Sequence, residues 1–237
     1  MFLLIKNKKV SLFSSINKLK ILIITAEDRN HSFIKIHDKN FKKYCAIHGY
    51  KYIRESNCPR SISTTYWCKI HLVKKYLDQD KYDYVVWADS DTIITNFKVP
   101  LEFFISKYNK DIIIGKDCTF NDSFIDINAG FFIVKNSIRG RSFINNCLET
   151  IRKKPKCIIN NKEQGKWAGP CYEQGVMNEL YRSDMYNNCI YVDNNKELIY
   201  NDCYKSYIKD LKKYKPHIVH LCGISNEKRT EFFKNYI

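Results

Sequence analysis

The chain has 237 residues, 44% of them hydrophobic and 14% aromatic, which is the composition of a globular protein long enough to bury a sizeable core. Its 40 Lys and Arg against 25 Asp and Glu give a formal charge of +15, which favours anionic partners. The basic residues are scattered from Lys6 to Lys234 in short clusters only, so a solvated basic surface fits better than a nucleic-acid face.

No apolar run approaches the roughly 20 residues that a spanning helix needs. The opening "MFLLIKNKK" places its charge after a short apolar start, the reverse of a secretion signal. These features predict an N-terminal extension over 1–19, a single domain over 20–237 and a cytoplasmic setting. Phe2, Leu3 and Leu4 leave weak peripheral membrane contact as a minority option.

In chain order, "KILIIT" (20–25) reads as a short strand. Residues 31–48 repeat apolar positions at helical spacing until Gly49 stops them, and "YKYIRE" (50–55) reads as a second strand. A helix follows over 66–79, then the apolar strand that opens "YDYVVWADSDTIITN" (82–96). "DIIIGKD" (111–117) and "INAGFFIVKN" (127–136) are further strands. Residues 140–153 and 172–182 have helical patterns, and "IVHLCG" (218–223) is a late strand or turn. Alternating strands and helices predict an α/β fold with a mostly parallel, Rossmann-like central sheet flanked by helices. The interval 155–171, rich in Asn, Lys, Gly and Pro, is long enough to be a lid or binding loop.

The ten cysteines contain no C-x-x-C pair, which argues against structural zinc. Most are read as reduced thiols in or near the core, with a bond between loop cysteines such as Cys157 and Cys171 left open.

Asp89 and Asp91 end an apolar strand one residue apart, so pleat alternation aims both carboxylates the same way. Such a pair needs a cation between its members, and carboxylate oxygens suit Mg²⁺ or Mn²⁺ with positions left open for phosphates. Sheets of this class bind ligands at the carboxyl ends of their strands. "ADSDTI" also matches the D-x-D-x-T of haloacid-dehalogenase-like phosphatases, in which the first acid is a nucleophile. That motif belongs after the first strand and needs a later acidic pair, which this chain lacks. A non-catalytic sugar-binding or nucleic-acid-binding protein is the reading from a different class.

"YCAIHGY" (44–50), "YWCKIHLV" (66–73), "VVWADSDTIITN" (85–96), "INAGFFIVKNS" (127–137), "YEQGVMNEL" (172–180) and "VHLCG" (219–223) occur in that order. Together they resemble glycosyltransferase family 34, the galactosyl-, mannosyl- and xyloglucan xylosyltransferases of GT-A fold, over residues 20–225. The resemblance implies a retaining enzyme that moves a sugar from a nucleotide-sugar, UDP-linked rather than GDP-linked, to a glycan or glycoconjugate acceptor. It implies that Asp89, Asp91 and His220 hold Mn²⁺ or Mg²⁺. Donor contacts would come from Thr25, Ala26, Asp28, Lys69, Asp89, Ser90, Asn128, Ala129, Gly130 and Gly223. Gln174 and Glu173 would stand near the anomeric carbon, with no covalent nucleophile. Three departures stand out. Tyr172-Glu173-Gln174 replaces the family's usual Asp-Asp-Gln, and Ser225 stands where a basic residue is common, with Lys228 as its substitute. The N-terminal membrane anchor typical of the family is also missing.

Overall fold

The computed structural model describes residues 18–57, 64–118, 126–201, 211 and 214–237. Six strands form the main sheet: β1 (Ile21–Ala26), β2 (Lys51–Glu55), β3 (Tyr84–Ala88), β5 (Ile112–Lys116), β6 (Ile127–Lys135) and β9 (Ile190–Asp193), in the order β2-β1-β3-β6-β5-β9. All run parallel except β6, which pairs antiparallel with both β3 and β5. The sheet is thus mostly parallel, as expected.

Alternate residues of its central strands feed opposite cores. Leu22, Val85, Trp87, Phe132 and Val134 pack under α2 (Cys68–Asp78), α4 (Ile138–Arg152) and α5 (Glu173–Tyr181). Ile21, Ile23, Val86, Phe131 and Ile133 pack under α1 (Ser32–His48) and α3 (Leu101–Tyr108). Burial on both faces explains why β3 and residues 129–134 of β6 read as unbroken apolar runs. At the N-terminus of α4 the Ser137 hydroxyl accepts the Gly140 amide proton at 3.0 Å, which is why this helix starts where it does.

The segment 82–96 is two strands rather than one. β3 ends at Ala88, a turn carries Asp89 to Asp91, and β4 (Thr92–Ile94) joins a second sheet with β10 (Ile199–Asn201) and β11 (Ile218–His220), in the order β10-β11-β4. The two carboxylates therefore converge through a turn and not through pleat alternation. The Thr92 hydroxyl and amide both donate to the Asp89 carbonyl, at 2.7 and 3.0 Å, and close that turn. β10, α3 and the last helix, α6 (Asn226–Phe233), escaped the sequence reading because each is short, whereas β11 is the late strand expected over 218–223. The interval 155–171 carries a small hairpin, β7 (Ile158–Ile159) and β8 (Lys162–Glu163).

The expectation of mostly reduced cysteines is corrected. Cys157 and Cys171 form a disulfide, and Cys68 and Cys118 are disulfide-bonded as well. Among the described residues Cys45, Cys147 and Cys189 are free thiols. The bond left open between Cys157 and Cys171 is present, and spacing gave no sign of the other bonded cysteines.

His217 lies in the second core between the rings of Tyr44 and Phe104, with Nε2 3.1 Å from the Tyr44 hydroxyl. Burial, helped by the nearby His48, lowers its pKa to about 3. The unfolded chain therefore binds this proton first, near pH 6.5, so the site's contribution is complete above that value and is lost as pH falls towards 3. For this group alone the loss between pH 7 and pH 5 is about 2 kcal/mol. Denaturant unfolding should show a smaller pH 7-to-5 loss in His217→Gln than in the parent by about that amount; equal losses would contradict the assignment.

Candidate active site

Four elements meet at the carboxyl end of β3. The β3–β4 turn brings Asp89 and Asp91, and β11 brings His220. α2 contributes Lys69, and the first turn of α5 contributes Glu173 and Gln174. One ligand atom from each of Asp89, Asp91 and His220 lies within 4.8 Å of the other two. Two carboxylates and an imidazole form a donor set suited to a divalent cation such as Mn²⁺.

His220 is aimed by its neighbours. Asn201 donates from Nδ2 to the Lys116 carbonyl at 2.8 Å, which fixes the amide, and its Oδ1 accepts from His220 Nδ1 at 2.8 Å. Nε2 is left facing Asp91 Oδ1 at 3.1 Å. A hydrogen bond on the far nitrogen is how metal-binding histidines are commonly oriented. Burial opposes a charge on His220, but Cys222 and Asp91 raise its pKa well above the ordinary value. Burial also works against the Asp91 charge, yet His220 and Arg229 hold that carboxyl at about 2.

Each acid already has a protein cation. Lys69 Nζ lies 3.1 Å from Asp89 Oδ1, 3.1 Å from Glu173 Oε1 and 3.1 Å from the Ala129 carbonyl. Arg229, on α6, donates to Asp91 Oδ2 at 2.8 Å and to the Leu221 carbonyl at 2.9 Å. Burial disfavours the Lys69 ammonium, but Asp89 and Glu173 raise its pKa above the ordinary lysine value, so it stays charged. Glu173 is pushed upward by burial and by Asp89, against the pull of Lys69. Its Oε2 is buried with no hydrogen-bond partner among the described residues.

Other expected donor contacts are spent within the fold. The Thr25 hydroxyl donates to the Ala88 carbonyl at 2.7 Å, and Ala26 only continues β1. Asn128 finds the polar partner its burial demands in Asp117, at 2.9 Å, and in the Gly130 amide. The Ala129 amide donates to Gln174 Oε1 at 3.0 Å, which ties α5 to β6. Ser90 donates to Glu27 Oε2 at 2.6 Å, and Glu27 also pairs with Arg29 at 2.6 Å. Asp28 and Gly223 are exposed. Gly130 is held by sterics: a Cβ there would stand 2.2 Å from His220 Cε1.

Arg229, Asn201, Glu27 and Arg29 were not singled out from the sequence. The basic partner of Asp91 is Arg229, while Lys228 beside it is exposed. Ser225 caps α6, and Arg229 lies one turn into that helix, facing the site.

The profile of the nucleotide-diphospho-sugar transferase family matches residues 19–232. The chain belongs to this family. It is a glycosyltransferase whose donor is a nucleotide-sugar. The fold is shared with a glycosyltransferase involved in glycosylation of the major capsid of PBCV-1, at 18% identity and a TM-score of 0.68, covering 91% of this chain and 99% of that one. Apo GlyE of Streptococcus pneumoniae TIGR4 has 16% identity and a TM-score of 0.50, covering 92% of this transferase and 60% of GlyE. No curated protein matches. Membership of this family removes both the phosphatase and the non-catalytic alternatives. Among the described residues no helix is long and apolar enough to cross a membrane.

Gly130→Ala should drive the His220 ring out of place, because the ring is buried and cannot yield by 1 Å without losing Asn201 or Asp91. Mn²⁺ titration followed by electron paramagnetic resonance should show at least about a tenfold loss of affinity, in line with disturbed support of a metal ligand. Unchanged affinity in the folded variant would remove His220 from the ligand set.

Proposed function

We propose that this transferase is metal-dependent, uses a UDP-sugar and retains anomeric configuration, as a relative of glycosyltransferase family 34. The reading rests above all on the convergence of Asp89, Asp91 and His220 within 4.8 Å at the end of β3. In it, residues 20–237 form one catalytic domain. A divalent ion held by these three side chains, Mn²⁺ or Mg²⁺, would neutralise charge on the departing nucleoside diphosphate.

The protein's own residues have separate tasks in this reading. Lys69 holds Asp89 and Glu173 at fixed separation and keeps the acids from repelling each other. Arg229 orients Asp91 and leaves Oδ1 directed to His220. The bond from the anomeric carbon to the leaving phosphate oxygen breaks, and a bond from the acceptor oxygen forms on the same face. The acceptor proton passes to the leaving phosphate. Gln174, fixed by the Ala129 amide, lies beside the developing positive charge on the sugar. Glu173 presents its unpartnered Oε2 as an acceptor for a sugar or acceptor hydroxyl.

Glu27 and Arg29 follow β1, held by Ser90, and offer polar contacts to the nucleoside. Disulfides are rare in reducing compartments, so the bonded cysteines favour an oxidising setting over the cytoplasmic one expected from sequence.

Thermal unfolding with UDP or GDP, each with and without Mn²⁺, tests the reading. UDP with Mn²⁺ at about 100 times its Kd should add about 2.7 kcal/mol, a shift of about 5–10 °C for a domain of this size. Asp91→Ala should unfold at a lower temperature even without ligand, lose that shift and lose transfer. A shift that needs no metal, or one given by GDP alone, would overturn the metal or the donor assignment respectively.

A further inference from the structure

Three aromatic rings stand together beside the site and have no role in the core. Tyr66, Trp167 and Tyr172 lie with centroids 5.8 Å (Tyr66–Trp167), 5.2 Å (Tyr66–Tyr172) and 5.7 Å (Trp167–Tyr172) apart, the last pair stacked. Trp167 is 53% exposed and Tyr66 41%. Single exposed apolar residues are ordinary on a protein surface, but a mutually packed trio facing solvent is a surface built for a partner.

The trio is joined to the chemistry from both sides. Tyr172 immediately precedes Glu173 and Gln174, and Tyr66 stands three residues before Lys69. α5 lies over β6, which is on the opposite side of β3 from β1 and the Glu27–Arg29 pair. The rings thus flank the acids on the side away from that pair.

The loop that carries Trp167 is anchored. Cys157 and Cys171 close it, and the Gln164 amide donates to the Cys157 carbonyl at 2.8 Å. Trp67 Nε1 donates to the Cys171 carbonyl at 3.1 Å. Against α5 the loop packs so closely that a Cβ on Gly175 would lie 1.9 Å from the Gly169 carbonyl oxygen. A fixed platform orders its partner at a lower entropic cost than a mobile loop would.

A second observation gives the platform polar chemistry. Glu163, in β8 of the same loop, has a buried Oε1 with no hydrogen-bond partner among the described residues. Burial raises its pKa, and it is close enough to Glu173 for that charge to add to the effect. Two carboxylates of the same neighbourhood, Glu163 and Glu173, therefore each carry an unpartnered buried oxygen, and both act on the Tyr66 phenol. Buried acceptors without donors are costly and call for hydroxyl or amide donors from a ligand.

We propose that Tyr66, Trp167, Tyr172 and Glu163 form the acceptor subsite and take a pyranose ring of the acceptor glycan. The apolar C–H face of a pyranose packs on an aromatic surface, while hydroxyls at its edge donate to carboxylates. The proposal rests on the transferase reading above and adds the position and chemistry of the acceptor. A nucleobase could also stack on such rings, but the placement away from the Glu27–Arg29 pair favours the sugar.

Binding to an array of α- and β-linked gluco-, galacto- and mannopyranosides, measured beside the UDP–Mn²⁺ thermal shift, tests it. The parent should bind a subset of these glycans. Trp167→Ala should weaken that binding at least about tenfold while the nucleotide shift stays unchanged. Trp167→Phe should restore most of it, and Glu163→Gln should weaken it with the nucleotide shift again intact. Trp167 is exposed, so these variants should fold as the parent does. Equal glycan binding by Trp167→Ala, or no pyranoside bound by the parent, would overturn the subsite. Loss of the nucleotide shift in Trp167→Ala would reassign the platform to the donor base. A parent without any nucleotide shift would count against the donor reading, while glycan binding by the parent and by Trp167→Ala would still decide the subsite.

Discussion

The site depends on one buried ammonium. Lys69 is almost fully buried and lies 3.1 Å from Asp89, from Glu173 and from the Ala129 carbonyl. Without it, Asp89 and Glu173 would face each other as like charges in a desolvated pocket, and at least one would take up a proton. With it, α2, the β3–β4 turn, β6 and α5 are joined at a single atom. Asp91 is served in the same way from the other side by Arg229 and His220. Asp91 therefore keeps its charge before any ligand arrives. A buried pair of this kind gives little net stability, but removing one partner leaves an uncompensated charge and is severe.

β6 determines how close these groups come. Running against its neighbours, it brings Asn128, Ala129 and Gly130 to the carboxyl end of β3. The Gly130 carbonyl accepts the Asp89 amide at 2.7 Å, and the missing side chain leaves room for His220. Asp117, Asn128 and the Gly130 amide form one hydrogen-bonded chain behind this contact. The region reads as a donor-sugar motif in sequence, yet much of its polar capacity is spent on holding the turn and the histidine.

The parts of the fold legible in sequence were those with a strong local signal. β3 and residues 129–134 of β6 are unbroken apolar runs, and α1 ends at Gly49, as the pattern implied. Asp89, Asp91 and His220 were legible because ordered motifs surround them. Arg229 was not, since the helix that carries it is eight residues long and weakly patterned. Nor was the turn between β3 and β4, because β-branched residues resume directly after it at Thr92, Ile93 and Ile94. The Cys157–Cys171 bond and the Tyr66–Trp167–Tyr172 cluster are products of tertiary folding that no period in the sequence encodes.

The central claim is that this turn, together with β11, holds a divalent ion against a nucleoside diphosphate. Anomalous X-ray diffraction from crystals grown with Mn²⁺ and UDP tests it most directly. The account predicts one manganese peak in contact with Asp89, Asp91 and His220, bridged to the diphosphate. A diphosphate bound here with no manganese beside it, or manganese bound only elsewhere, would contradict it.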